Sequence, residues 1–153
     1  MLALLVVPAA AAAFWIFGTK PKAIRIDASN AALIAEGKQL YGQQCGSCHG
    51  VKLEGQPNWM ERKPDGKLPA PPHDSAGHTW HHSDGDLLVI VKKGMQPFAG
   101  PDYKTDMPRF EGILNDDQIG SILAYIKSTW PERVRKYQER VTEQAADRSG
   151  GVK

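Results

Sequence analysis

The stretch Gly42-Gln43-Gln44-Cys45-Gly46-Ser47-Cys48-His49-Gly50 decides how the rest of the chain is read. It holds both cysteines of the sequence, with a histidine directly after the second. Two thiols at this spacing lie on one side of a helical turn, so both reach one edge of a flat macrocycle. The next residue, His49, then turns its imidazole beneath the centre of that ring. Gly46 and Ser47 are small and let the backbone come close. Cys-x-x-Cys-His is the pattern of covalent haem attachment. Cys45 and Cys48 are then the thioether donors and His49 an axial ligand of the iron.

Two other chemistries use a paired cysteine. A thioredoxin-like dithiol sits in a βαβ context, and strand-like alternation is scarce throughout this chain. A zinc site needs two more ligands. His73, His78, His81 and His82 lie downstream, but their distance from Cys48 does not match the usual finger spacing. With two cysteines, a disulfide framework is excluded.

Working outward, apolar or small residues Leu33, Ile34, Gly37, Leu40 and Tyr41 recur at helical spacing, which predicts a first helix over 31–41. Asp27, Ser29 and Asn30 offer its N-cap. After the cysteines, Pro69, Pro71 and Pro72 precede a middle helix expected over 85–93. Ser83 and Asp86 cap that helix and Gly94 stops it. A last helix begins after Asn115, with Gln118 placed for a capping box. Its apolar face is Ile119, Ile122, Leu123 and Ile126.

An electron-carrying iron takes a second axial ligand, Met or His, and a thioether raises the potential. Met60, Met95 and Met107 are the candidates besides the downstream histidines. Met107 is best placed, in Asp106-Met107-Pro108-Arg109-Phe110 just before the last helix, where Pro108 stiffens the chain. Met95, in Gly94-Met95-Gln96-Pro97-Phe98, is the alternative. Met60 reads as core filler.

These features together resemble the class I c-type cytochromes over about residues 30 to 130. The pattern is Cys-x-x-Cys-His after a first helix, then Met-Pro-x-Phe, then a closing Leu-Asn-Asp-Asp-Gln-Ile helix. The resemblance implies an all-α fold, three to five helices around one covalent haem c, and His49 and Met107 as axial ligands. It implies that a proline carbonyl, Pro71 first and Pro72 second, accepts a hydrogen bond from the free nitrogen of His49. It also implies that Gly37, Tyr41 and Tyr125 lie where the first and last helices cross. The implied activity is transfer of single electrons between redox proteins, not catalysis. By analogy alone, the partners are a bc-type complex, a terminal oxidase or a dehydrogenase of a respiratory chain.

The chain has 153 residues and a formal net charge of +2, unevenly spread. Residues 1–18 carry no charge, and the segment 1–19 reads as a membrane anchor at the lower limit of spanning length. A signal peptide cut within Ala9 to Ala13 is the alternative. Trp15 suits the end of a span, although the basic residues follow the run rather than precede it. Either reading puts the domain on the periplasmic side of a bacterial inner membrane, tethered or soluble. Residues 20–29 form a linker. Between Asp27 and Trp130 there are 10 basic and 13 acidic residues, with no basic stripe, so nucleic acid is not an expected partner.

Four histidines stand in the loop 73–82, which is not part of the family pattern. They and the Trp80 indole N–H read as a solvated loop or as hydrogen-bond donors to the haem propionates. Copper or zinc handling is the competing reading, and a haem enzyme such as a peroxidase is another. Residues 131–153 read as a charged extension, helical with Val134, Tyr137 and Val141 on its apolar face, and disordered from about Gln144.

A domain of about 100 residues with so few aliphatic side chains has a thin core, which the haem completes. The exported Cys45→Ala, Cys48→Ala double variant is therefore expected to lose its folded circular-dichroism signal. A native-like spectrum without haem would contradict this.

Overall fold

The computed structural model describes residues 24–150; the apolar segment 1–19 and the first residues of the linker lie outside them. Among the described residues there is no strand, and no helix is long and apolar enough to cross a membrane. The elements are α1 (Ala31–Gln44), α2 (Gly46–His49), a 3-10 turn (Thr79–His81), α3 (Asp84–Lys93), α4 (Gln96–Ala99), α5 (Asp116–Ser128) and α6 (Glu132–Gly150). The all-α expectation holds.

Asn30 starts α1: its side-chain oxygen accepts from the backbone N–H of Ala32 at 3.0 Å and of Leu33 at 3.3 Å. The helix runs past Tyr41 to Gln44, so Cys45 is its C-cap. The haem motif is therefore built on the end of α1 rather than in a loop after it. Asn115 and Gln118 form the capping box of α5, with bonds of 2.8 and 3.0 Å. Ile119, Ile122, Leu123 and Ile126 are all buried, each contributing about 1.5–3 kcal/mol of apolar burial. In α3, Ser83 Oγ accepts from the Asp86 N–H at 3.1 Å and donates to the Asp86 carboxylate at 2.7 Å.

The frame is the crossing of α1 over α5. A Cβ on Gly37 would stand 1.8 Å from the Ser121 carbonyl oxygen. The two backbones thus touch with no side chain between them, which only glycine permits. One turn on, the rings of Tyr41 and Tyr125 pack 5.5 Å apart, and Ser121 Oγ donates to Glu36 at 2.7 Å.

The C-terminal extension differs from its expectation in two ways. Helix α6 runs through Gly150, past Gln144 where disorder was expected. Strong helix formers such as Ala145 and Ala146 continue it. Its buried stripe is Val134, Gln138 and Thr142, while Tyr137 is exposed. A polar residue outcompetes the apolar Tyr137 because a buried carboxylate needs partners. Asp84, at the start of α3, is 2 % exposed. Lys127 Nζ of α5 donates to both its oxygens at 2.6 and 2.8 Å, Gln138 Nε2 donates at 2.7 Å and the Ile26 N–H at 2.8 Å. The Asp84 N–H in turn donates to Thr142 Oγ1 at 3.1 Å. One carboxylate joins α3, α5, α6 and the linker.

Breaking such a pair strands a buried charge and costs about 3–5 kcal/mol. Lys127→Met should lower the urea midpoint of the haem-loaded protein accordingly. Lys136→Met removes the exposed ion pair to Glu132 on α6 and should leave the midpoint where it was.

Candidate haem site

Helix α2 is a single turn that begins on Cys45, the last residue before it and the C-cap of α1. The N–H groups of Cys48 and His49 donate to the Cys45 carbonyl at 3.1 and 2.9 Å, so both cysteines and the histidine ride on one turn. The Tyr41 hydroxyl, buried under that turn, donates to the Gly50 carbonyl at 3.0 Å. This anchors the turn to the helix crossing.

His49 is buried, and its Nδ1 lies 2.8 Å from the Pro71 carbonyl oxygen. A carbonyl only accepts, so Nδ1 carries the hydrogen. Nε2 is then left with a lone pair, the form in which imidazole binds metal. Burial holds the His49 pKa below the usual histidine range, partly offset by the Pro71 bond. The neutral ligand form is thereby favoured.

Cys48 is exposed and Cys45 half-buried. Burial pushes the Cys45 thiol up to about 11, and the neighbouring Cys48 adds to the shift. A dithiol redox centre needs the opposite, a thiol depressed to roughly 3.5–7.5. The pair suits covalent attachment better than thiol exchange.

The segment that presents Pro71 is held from both sides. Leu53 sits at φ +69 with its side chain buried, and its carbonyl accepts from the N–H groups of His73 and Asp74 at 2.8 and 3.3 Å. On the other side, a Cβ on Gly77 would lie 2.0 Å from the Pro72 oxygen, so the loop folds back tightly over the prolines. Trp130, at the end of α5, donates its indole N–H to the His73 carbonyl at 2.7 Å.

The four histidines of the loop do not gather into one site, although His78 and His82 meet edge-on at 5.6 Å. His73 stacks on His49 with ring centroids 4.1 Å apart and 25° between planes, and its Nδ1 lies 2.8 Å from Thr79 Oγ1. His78 stacks on Trp59 at 5.3 Å, and His81 on Trp80 at 3.8 Å. Among the described residues no group of three or more His, Cys, Asp or Glu side chains is arranged to hold a metal ion. The copper or zinc reading therefore has no site among them. The place of His73 against His49 was hidden in the sequence, where it read as one of four loop histidines. Its spacing of two from Pro71 was the available signal.

Of the methionines, Met107 packs against the hydrophobic core, and its N–H donates to Thr105 Oγ1 at 3.0 Å. An ion pair between Lys67 and Asp106 ties the preceding residue to the proline-rich loop. Met95 is partly buried and caps the short helix α4. Met60 is 75 % exposed, which corrects its reading as core filler. It stands two residues after Asn58, which adopts a φ of +54.

These residues fit a covalent haem. The donor set is a free imidazole nitrogen beside two cysteines on one turn. The Trp80 indole Nε1 is also buried without a partner. An orphaned buried donor is costly, and a haem propionate is an acceptor that would relieve it.

The family model described as cytochrome c matches residues 34–130. The chain is 29 % identical over 99 residues to the cbb3-type cytochrome c oxidase subunit CcoP of Azospirillum brasilense, covering 62 % of this chain and 30 % of that one. It is 24 % identical over 98 residues to a nitrite reductase of Stutzerimonas stutzeri, covering 60 % of this chain and 15 % of that one. The chain thus spans less than a third of either relative. No solved structure matches it significantly. The attachment turn, the carbonyl behind His49 and the matched span of 34–130 agree: this chain belongs to the cytochrome c family and carries covalently bound haem c.

Proposed function

We propose that the protein is a monohaem electron carrier, tethered by its N-terminal segment to the periplasmic side of a bacterial inner membrane. The haem, when bound, supplies a one-electron ferric/ferrous couple. Everything else is done by the chain. Cys45 and Cys48 fix the ring, so that it is never lost on collision with a partner. His49 would hold the iron through Nε2 and Met107 through its thioether, a ligand that favours the ferrous state and raises the potential. The free Trp80 N–H would serve a propionate.

The observation that carries this reading is the 2.8 Å contact between His49 Nδ1 and the Pro71 oxygen. It favours one tautomer and orientation of His49 without any ligation, which is what an axial ligand of an electron carrier would need in both oxidation states. The core contact of Met107, set against the exposure of Met60, supports Met107 as its counterpart. A saturated iron suits electron transfer, whereas a peroxidase needs an open position.

The partners of this carrier are redox proteins of a respiratory chain, with a bc-type complex or a dehydrogenase as donor and a terminal oxidase as acceptor. The likeness to a cytochrome c oxidase subunit supports the oxidase side. Co-purification from native membranes would identify them.

The ferric protein should show the far-red charge-transfer band of a Met–iron bond. Met107→Ala should abolish that band and lower the reduction potential, with Met95→Ala leaving both unchanged. A high-spin ferric spectrum in the unaltered protein would sink the carrier reading.

A further inference from the structure

We propose that His73 is a positioning residue for the axial ligand: its ring, stacked on His49 at 4.1 Å and 25°, sets the plane in which the His49 imidazole is held. The inference rests on His49 being the iron ligand, and it holds whichever residue binds the opposite side.

The Pro71 carbonyl bonds His49 at one atom. One hydrogen bond fixes a point and a direction, but it leaves the ring free to swing about that direction. A flat neighbour lying nearly parallel to the ring removes the swing, because rotation would drive one edge of the imidazole into it. His73 is such a neighbour, and it is itself fixed at three atoms. Its N–H donates to Leu53 O at 2.8 Å, its carbonyl accepts from Trp130 Nε1 at 2.7 Å, and its Nδ1 lies 2.8 Å from Thr79 Oγ1. The Tyr41 ring meets it edge-on at 6.1 Å.

The backbone beneath this support is strained. Leu53 is a buried, branched residue at φ +69, a conformation that costs such residues about 1–3 kcal/mol and persists only where the surroundings impose it. Its carbonyl is the acceptor that sets the height of His73. A leucine or valine at position 73 would fill the space without presenting a plane. The flat ring and its polar edge toward Thr79 are what the position uses.

The plane of an axial imidazole decides which iron orbital it donates into, so it is read directly in the ferric state. Electron paramagnetic resonance gives the anisotropy, and proton NMR gives the spread of the haem methyl resonances. The test uses the full haem-loaded chain, the His73→Leu and His73→Phe variants, and Thr79→Val, which keeps the His73 ring and removes its anchor. His73→Leu should change both signatures and shift the potential. His73→Phe, which restores a flat ring, should bring them back toward wild type. Thr79→Val should move them in the direction of His73→Leu by a smaller amount, and it serves as the deciding variant if His73→Leu fails to take up haem. Wild-type anisotropy, methyl spread and potential in His73→Leu, or in Thr79→Val where it decides, would overturn the role of His73 and leave the carrier reading standing. A wild-type iron with no imidazole ligand would overturn both.

Discussion

Helices α1 and α5 cross with their backbones in contact at Gly37 and Ser121, and the working parts of the molecule hang from that crossing. The end of α1 becomes the cysteine turn, and the start of α5 follows the loop that carries Met107. Side chains that are to serve one site must be held to within a fraction of an ångström. A contact between backbones has no rotamers to relax through, so it transmits position without slack. Tyr41 extends the same frame by one turn: its ring packs on Tyr125 of α5 and its hydroxyl holds the Gly50 carbonyl behind the haem motif.

From that frame the site is supported outward in shells. Pro71 orients His49, and the proline-rich segment is held in turn by Leu53 and by the indole of Trp130. Trp130 follows directly on the C-cap of α5, so the chain end of that helix also braces the loop behind His49. The histidine-rich segment, which looks like a metal-binding tract in one dimension, is divided by this arrangement. His73 is drawn inward against His49, while His78 and His81 pair with tryptophans.

A second anchoring point lies away from the haem. Asp84 gathers Lys127, Gln138, the Ile26 N–H and, through its own N–H, Thr142. Its bonds fold the C-terminal extension onto the domain through polar contacts. A buried carboxylate contributes little net stability over an apolar core of the same shape. What it adds is registry, because only one setting of α6 brings Gln138 Nε2 to the carboxylate and Thr142 Oγ1 to the Asp84 N–H at once. That explains why α6 buries Gln138 and exposes Tyr137.

The haem motif was legible because covalent attachment requires residues adjacent in sequence. The helices were legible because caps and apolar periodicity are local, as Asn30, Asn115 and Ser83 illustrate. The glycine at the crossing and the carbonyl of Pro71 entered through family resemblance. Tertiary structure alone decided the rest. Which histidine lies against His49, which face of α6 is buried and where Lys127 finds its partner all depend on residues far apart in the chain. Each is settled by whether a buried polar atom can reach a partner, a condition that appears only once the chain has closed on itself.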